Sequence, residues 1–513
     1  MKHKNILEEK LENRDIRGRK GCFYTPEIWV KLSQKYLSDV FGKDWQNEYY
    51  LWDCCAGTGN LLVGLTNKYT VWASTLDKQE VEGICKRIDN DIHLLENHVF
   101  QFDFLNDDFS KLPQDLQDIV NDPQKRKKLI IYINPPYAEC GRAKKERLYN
   151  KSGVANTNKI YTQYAKNLGN ARRELFAQFL IRIYREIPSC VIANFSTLKH
   201  LQSANFHTFR ELFQAKIEKL FVVPAHTFDD VKGKFPIGFM IWKTNIEQPF
   251  TEIQADVYDK KGLLIGKKMI YNYDNQKYIN DWIDEFKNKK NEIIGSLSCK
   301  LNDFQNANMV YVANAKLNLP VRCKYLNINA ENLIPACIYF TVRKIIPATW
   351  LNNRDQFLFP NSKWKKDIEF QNDCLAYTLF NNNISSKHGI NHWIPFLECE
   401  LHIRDAFDSH FILDFMSGKL ISTVKREFSP ESANVFDAGR KLWKYYHKQS
   451  NITVNASLYD MKMYFQIKNE KGRMKKKSED EKYNKLIENL RNTLHILAQK
   501  MEPKVYEYGF LMR

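Results

Sequence analysis

The segment Leu129-Ile130-Ile131-Tyr132-Ile133-Asn134-Pro135-Pro136-Tyr137 places five apolar residues in a row before a polar residue and two prolines. Such a run reads as a strand buried on both faces, and prolines, which lack an N–H, stop its ladder abruptly. Working outward, short apolar runs alternate with helical stretches from Tyr49 to Lys243, the pattern of an α/β domain with a mainly parallel sheet. Strands are predicted at Tyr50–Cys55, Thr70–Leu76, His98–Phe104, Leu129–Ile133, Cys190–Phe195, Ile217–Val223 and Ile237–Trp242, seven in all. Ahead of the fifth, Leu175, Phe176, Phe179, Leu180, Ile183, Tyr184 and Ile187 recur at helical spacing until Pro188. Upstream, Thr25 reads as an N-cap with Pro26 at the first helical position, and Ile28, Trp29, Leu32, Tyr36 and Leu37 form the apolar face behind it.

The ends of these strands carry the chemistry. Asp53-Cys54-Cys55-Ala56-Gly57-Thr58-Gly59-Asn60-Leu61 sits where the first strand turns into its helix, and glycines at 57 and 59 let the backbone approach a ligand. The third glycine of a dinucleotide fingerprint is absent, because position 62 is Leu. Asp77 follows the second strand, where an acid holding a ribose diol would sit, and Asp103 ends the third. Three acids on successive strand ends favour a nucleoside ligand. After the fourth strand, the Asn134 and Pro135 carbonyls are left to point into a cleft, beside the aromatic face of Tyr137. A primary aromatic amine there could donate to the Asn134 side chain and to the Pro135 carbonyl while its ring stacks on Tyr137.

These residues resemble the S-adenosylmethionine-dependent amino methyltransferases that act on adenine in DNA. Asn134-Pro135-Pro136-Tyr137 matches that family's catalytic motif in full, and the motif order resembles its gamma class. Phe23-Tyr24-Thr25-Pro26 is similar to the motif that touches the methionine part of the cofactor. Asp53, Ala56, Gly57 and Gly59 resemble its glycine loop, Asp77 its ribose-binding acid, and Asp103-Phe104 the pair beside the cofactor's adenine. Phe228, with Phe235 as the alternative, resembles a second aromatic brought to the flipped base. Cys54-Cys55-Ala56 departs from many relatives, which carry Pro or another small residue after the acid. The resemblance covers about residues 20–245. It implies a seven-stranded, mainly parallel Rossmann-like methyltransferase sheet and direct in-line transfer to an extruded base, with S-adenosyl-L-methionine as cofactor and no metal.

Beyond Thr244 the pattern becomes irregular. The expected division is a charged extension at 1–20, the methyltransferase domain at 21–245, a mixed α+β target-recognition domain at 246–425, and a basic helical region at 426–513. In the last, Ser478 and Glu481 read as a capping box ahead of Tyr483, Leu486, Ile487, Leu490, Leu494, Leu497 and Met501.

Composition narrows the setting. The 513 residues carry a net charge of +17. Residues 138–173 supply +7 of it and residues 419–477 supply +9. Arg142, Lys144, Lys145, Arg147 and Lys151 in the first segment, and Arg440 and Lys441 in the second, are candidate DNA contacts. The expected partner is double-stranded DNA. No apolar run reaches the ~18 residues of a membrane span and the first residues are charged, so a cytoplasmic protein is expected. The 11 cysteines contain no C-x-x-C. No nuclease motif has a convincing partner acid, so methylation alone is expected, by a monomer; a cognate nuclease, where one exists, would be a separate chain. Two other readings share the motif: an N-methyltransferase of an RNA base or a protein glutamine, and a non-catalytic DNA-binding specificity subunit.

Overall fold

The computed structural model describes residues 24–88, 90–138, 156–228, 231, 233–288, 292–314, 324–420, 423–466, 475 and 477–513. The chain divides into two compact units, one running to Asp274 and including Thr349–Arg354, the other formed by Asn275–Ala348 and Asp355–Arg513.

All seven expected strands are present: β1 (Tyr50–Asp53), β2 (Val71–Thr75), β3 (Val99–Gln101), β4 (Leu129–Ile133), β5 (Val191–Thr197), β6 (Ala215–Pro224) and β7 (Pro236–Glu247). The sheet nevertheless has nine strands, because a hairpin of β8 (Glu252–Tyr258) and β9 (Leu264–Tyr271) extends it in the order β3-β2-β1-β4-β5-β7-β6-β8-β9. Strands β1 to β5 pair in parallel, β7 runs antiparallel to both β5 and β6, and β8 pairs in parallel with β6. The expected boundary at residue 245 therefore falls inside β7, and the first unit continues through the added hairpin.

Strand β4 shows why the apolar run decides the fold. Leu129, Ile131 and Ile133 enter one buried cluster while Ile130 and Tyr132 enter another, so successive side chains fill both faces of the sheet. Helix α1 (Glu27–Phe41) covers one face with Trp29, Val30, Tyr36 and Leu37. Among the helices on the other face, α2 (Leu175–Glu186) is buried from Leu175 through Ile183.

The second unit has a single main core, built around a three-stranded antiparallel sheet and helices α3 (Leu333–Val342), α4 (Ile368–Leu379), α5 (Pro430–Tyr446) and α6 (Glu481–Glu507). Helix α3 is buried at all ten positions, as its unbroken apolar sequence requires. Lys500 on α6 reaches Glu369 (2.7 Å) and the buried Asp373 (2.9 Å) on α4 and Glu431 (3.2 Å) on α5, pinning three helices at one point. The expected division at 425/426 is not seen, since α5 and α6 share their core with α3 and α4. The cap of α6 is Asp480, which accepts from the Tyr483 N–H at 2.8 Å; Ser478 instead donates to the Phe465 carbonyl.

Candidate active site

The carboxyl ends of β1, β2 and β4 open on a cleft of about 220 Å³. Most of the residues expected to act together meet there. Tyr24, Thr25, Asp53, Ala56, Gly57, Asp103, Phe104, Asn134 and Pro136 all line it.

Gly57 adopts a left-handed φ of +54°, and nothing lies within 4 Å of where its Cβ would be, so the backbone is bare on that side. Gly59 has a different reason to be glycine: at φ +80° its Cβ would lie 2.8 Å from Ile92 Cδ1. The loop does not open into an α-helix as expected. A single 3-10 turn, Asn60–Leu62, follows, and the left-handed Gly59 and Gly64 on either side interrupt helical continuation. Arg87 ties this loop down by donating to the Thr58 carbonyl (2.6 Å) and to Asn60 Oδ1 (2.8 Å).

Asp53 is 1% exposed and accepts a hydrogen bond from the Cys55 N–H at 3.1 Å. Burial pushes its carboxyl up to about 7. Among the described residues no Lys, Arg or His forms an ion pair with it. A buried carboxylate of this kind suits a cationic ligand.

Asp77 does not line the cleft. It is exposed and caps the helix Lys78–Cys85 by accepting from the Gln79 N–H at 3.0 Å. One turn further on, Glu80 does line it, held by a 2.5 Å hydrogen bond from the Thr75 hydroxyl. A carboxylate at i+3 from the expected position is the residue that sequence reading misses. The helical period starting at Lys78 is the available signal. Asp103 lies at the opposite wall, its carboxylate accepting from the Leu105 N–H (3.0 Å) and Asn106 Nδ2 (2.7 Å). Phe104 is buried there, stacked on Phe179 at 5.0 Å and covered by the Arg182 guanidinium.

Asn134 stands just beyond β4. Its Nδ2 donates to Thr25 Oγ1 at 2.9 Å and its Oδ1 accepts from the Tyr137 hydroxyl at 2.5 Å. Thr25 is therefore not a helix cap: Pro26 occupies that position and α1 begins at Glu27. The threonine instead tethers the Asn134 amide. No described donor occupies the Pro135 carbonyl. Burial holds the Tyr137 hydroxyl far above the usual phenol range, so it acts as a hydrogen-bond donor and not as a base.

Other expected residues stand elsewhere. Phe228 is 1% exposed and packs edge-on against Phe195, which leaves no face for a base. Its alternative, Phe235, is only partly buried. Arg440 pairs with Glu400 (3.1 Å) and Asp437 and lies over Phe396, while Lys441 is exposed. The aromatics that interleave with them, Trp443 and Tyr446, face the core. Phe23, Arg142, Lys144, Lys145, Arg147, Lys151 and the extension 1–20 lie outside the described residues.

Among the described residues no group of three or more His, Cys, Asp or Glu is placed to hold a metal ion, and no helix is long and apolar enough to cross a membrane.

No model of a known family matches the chain, and no curated protein resembles it in sequence. Distant similarity to solved structures exists. The DrdV–DNA complex aligns at 14% identity over 57% of this chain and 36% of that one, with a TM-score of 0.38. The type IIG restriction endonuclease BpuSI aligns at 17% identity over 49% and 31%, with a TM-score of 0.34. The M protein of the type I restriction enzyme EcoKI aligns at 10% identity over 59% and 62%, with a TM-score of 0.31. This chain thus spans less than two thirds of the length of each.

Proposed function

We propose that this chain is a site-specific DNA adenine-N6 methyltransferase that uses S-adenosyl-L-methionine, within a restriction-modification system. One observation carries this reading: Asn134-Pro135-Pro136-Tyr137 follows β4, and its Asn134, held by Thr25, and Pro136 line the same cleft as Asp53–Thr58 and Asp103.

The residues present fit the cofactor. Bare backbone at Gly57, a buried carboxylate at Asp53 without an ion-pair partner and a second carboxylate at Glu80 suit a ligand that is cationic at one end and carries a ribose diol. When bound, the cofactor supplies a methyl group activated on a sulfonium, whose departure needs no acid. Asn134 Oδ1 and the Pro135 carbonyl accept hydrogen bonds from the two amine N–H groups of adenine, the Tyr137 hydroxyl yields its place on Oδ1 as the amine arrives, and the proton displaced by the incoming methyl group leaves to water. Thr25 holds the amide in place beside the base. Freed from Asn134, Tyr137 offers its ring to stack on the extruded base, contributing ~1–3 kcal/mol toward the cost of extrusion. Phe235 is the candidate for the opposite face. Asp77 acts as a helix cap, and Glu80 takes the ribose.

Incubation with tritiated cofactor and duplex DNA, RNA or cell protein tests the assignment. Label in DNA N6-methyladenine supports it; label in RNA or protein alone, or in none, refutes it.

A further inference from the structure

The hairpin that lengthens the sheet ends in a tip the proposed chemistry does not use. Asp259-Lys260-Lys261-Gly262-Leu263-Leu264-Ile265-Gly266-Lys267-Lys268 sets three apolar residues between two pairs of lysines. Leu263, Leu264 and Ile265 are 61%, 56% and 58% exposed. Three adjacent aliphatic side chains on an edge strand are a liability that soluble proteins ordinarily remove.

The tip is nonetheless a built structure. The Asp259 N–H donates to the Leu263 carbonyl (2.9 Å) and the Gly262 N–H to the Asp259 carbonyl (3.0 Å), while the Asp259 carboxylate accepts from the Lys261 and Leu263 N–H groups (2.8 and 2.9 Å). Gly262 takes φ +77° to close the turn. Pairing slips between Val257, opposite Gly266, and Tyr258, opposite Leu264, so Ile265 is an extra residue in a bulge. Bulges re-aim side chains, and this one falls within the exposed triplet.

Its position is the second observation. β8 runs parallel to β6, and β6 is related to β5 through β7, antiparallel to both, so β8 points the same way as β4 and β5. The tip after Tyr258 therefore lies on the sheet edge that carries Asn134. A Cβ at Gly262 would lie 2.5 Å from Ile28 Cδ1, so the turn rests on Ile28, which is itself 40% exposed. Ile28 lies in the first turn of α1, three residues after the Thr25 that orients Asn134. The apolar patch thus reaches the margin of the catalytic rim.

We propose that this tip is a DNA wedge: Leu263, Leu264 and Ile265 enter the stack beside the extruded base while Lys260, Lys261, Lys267 and Lys268 engage the flanking phosphates. The inference rests on the methyltransferase reading for its purpose and on the tip's own chemistry for its partner. Paired lysines on both sides of an apolar triplet complement a polyanion whose interior is apolar and stacked, and inserting aliphatic side chains between base steps stabilises an opened duplex. The wedge would hold open the space that the base vacates.

Two variants of the full chain separate grip from wedge. The first, Leu263→Ser with Leu264→Ser and Ile265→Ser, is expected to lower methyl transfer at saturating unmethylated genomic duplex by about tenfold or more, with duplex affinity changed little. The second, Lys260→Gln with Lys261→Gln, Lys267→Gln and Lys268→Gln, is expected to weaken duplex binding with transfer at saturation retained. Its logarithmic salt dependence should flatten by a slope of roughly 0.9 for each phosphate that a lysine no longer neutralises. Replacing the triplet by three methionines should restore transfer, which a folding defect would not allow. Unchanged turnover in the serine variant, or unchanged duplex affinity in the glutamine variant, overturns the proposal. So does sedimentation of the wild type, but not the serine variant, with anionic phospholipid vesicles while DNA labelling is equal in both. A wild type that labels no DNA refutes the methyltransferase reading instead, and the glutamine variant's duplex binding then decides the tip alone.

Discussion

Replacing Asp53 by Asn removes a charge the fold strains to bury. The carboxyl is 1% exposed and titrates at about 7, against 3.8 when unperturbed. Below pH ~4 both folded and unfolded chains hold the proton and nothing is lost. As pH rises from there, the unfolded chain releases the proton first, so the native state loses about 1.4 kcal/mol per pH unit until the folded carboxyl also ionises near 7. Between pH ~5 and ~8 the loss is roughly 3 kcal/mol, a large part of an ordinary domain's stability. Asparagine keeps an acceptor for the Cys55 N–H but has no such dependence. The assay is denaturant unfolding of both proteins at several pH values, read as the difference between them. The buried His200, pushed down to about 3, and His447, pushed down to about 4, add a slope of opposite sign below pH ~6.5 that cancels in the difference. The Asn variant should gain steadily on the wild type from pH ~4 to ~7 and level off above. Calorimetry supplies the functional half: cofactor affinity of the wild type should rise with pH through ~7, as ionised Asp53 becomes available to a cation, and that of the variant should stay low and flat. A stability difference that does not change with pH would refute the burial argument.

Other substitutions test the remaining geometry. Asn134→Ala should lower methyl transfer by at least about 10²-fold with cofactor affinity close to wild type by calorimetry, because it removes an acceptor for the substrate amine alone. Thr25→Val removes the hydroxyl that tethers the Asn134 amide and should cost on the order of 10²-fold in turnover, whereas Thr25→Ser should retain it. Glu80→Ala should weaken cofactor binding about 10- to 100-fold, while Asp77→Ala should leave it near wild type and cost only about 1 kcal/mol of thermal or denaturant stability through removal of the cap. Gly59→Ala should destabilise the first unit by about 1–3 kcal/mol, since it strains a left-handed residue and presses on Ile92.

The parts of the fold that are legible in the sequence are those where burial is written as composition. β4 is apolar throughout and α2 is apolar at all its buried positions but Gln178 and Arg182, so their positions follow from period. The β8–β9 hairpin is illegible for the opposite reason: one of its two three-residue apolar runs, Leu263–Ile265, is solvent-facing, and its paired segment Glu252–Tyr258 mixes charge with apolar residues. In the site, the glycine loop and Asn134 can be recognised because their chemistry is local. Thr25 reads wrongly as a cap because a threonine before a proline has a good local use there, and only the tertiary fold brings Asn134 to it across 109 residues. Phe228 and the aromatics of the Arg440 segment mislead because an aromatic ring in a basic or loop-like stretch gives no sign of which way it faces. Asp77 stands one helical turn from Glu80, an error of the size expected when a helix start is located from pattern alone.

Helix α1 has a consequence for the order in which the protein is made. Emerging before β1, it is held by residues synthesised much later: Ser33 meets Tyr132 at a separation of 99 residues, Thr25 just ahead of the helix meets Asn134 at 109, Trp29 meets Thr227 at 198, and Tyr36 meets Asp256 at 220. Contacts of such range close slowly and late. A nascent chain that has completed the glycine loop and even the Asn-Pro-Pro-Tyr segment still lacks the anchors that seat its first helix. The proposed activity should therefore appear in translation only after the β8 strand has left the ribosome, well after the Asn-Pro-Pro-Tyr segment has been added.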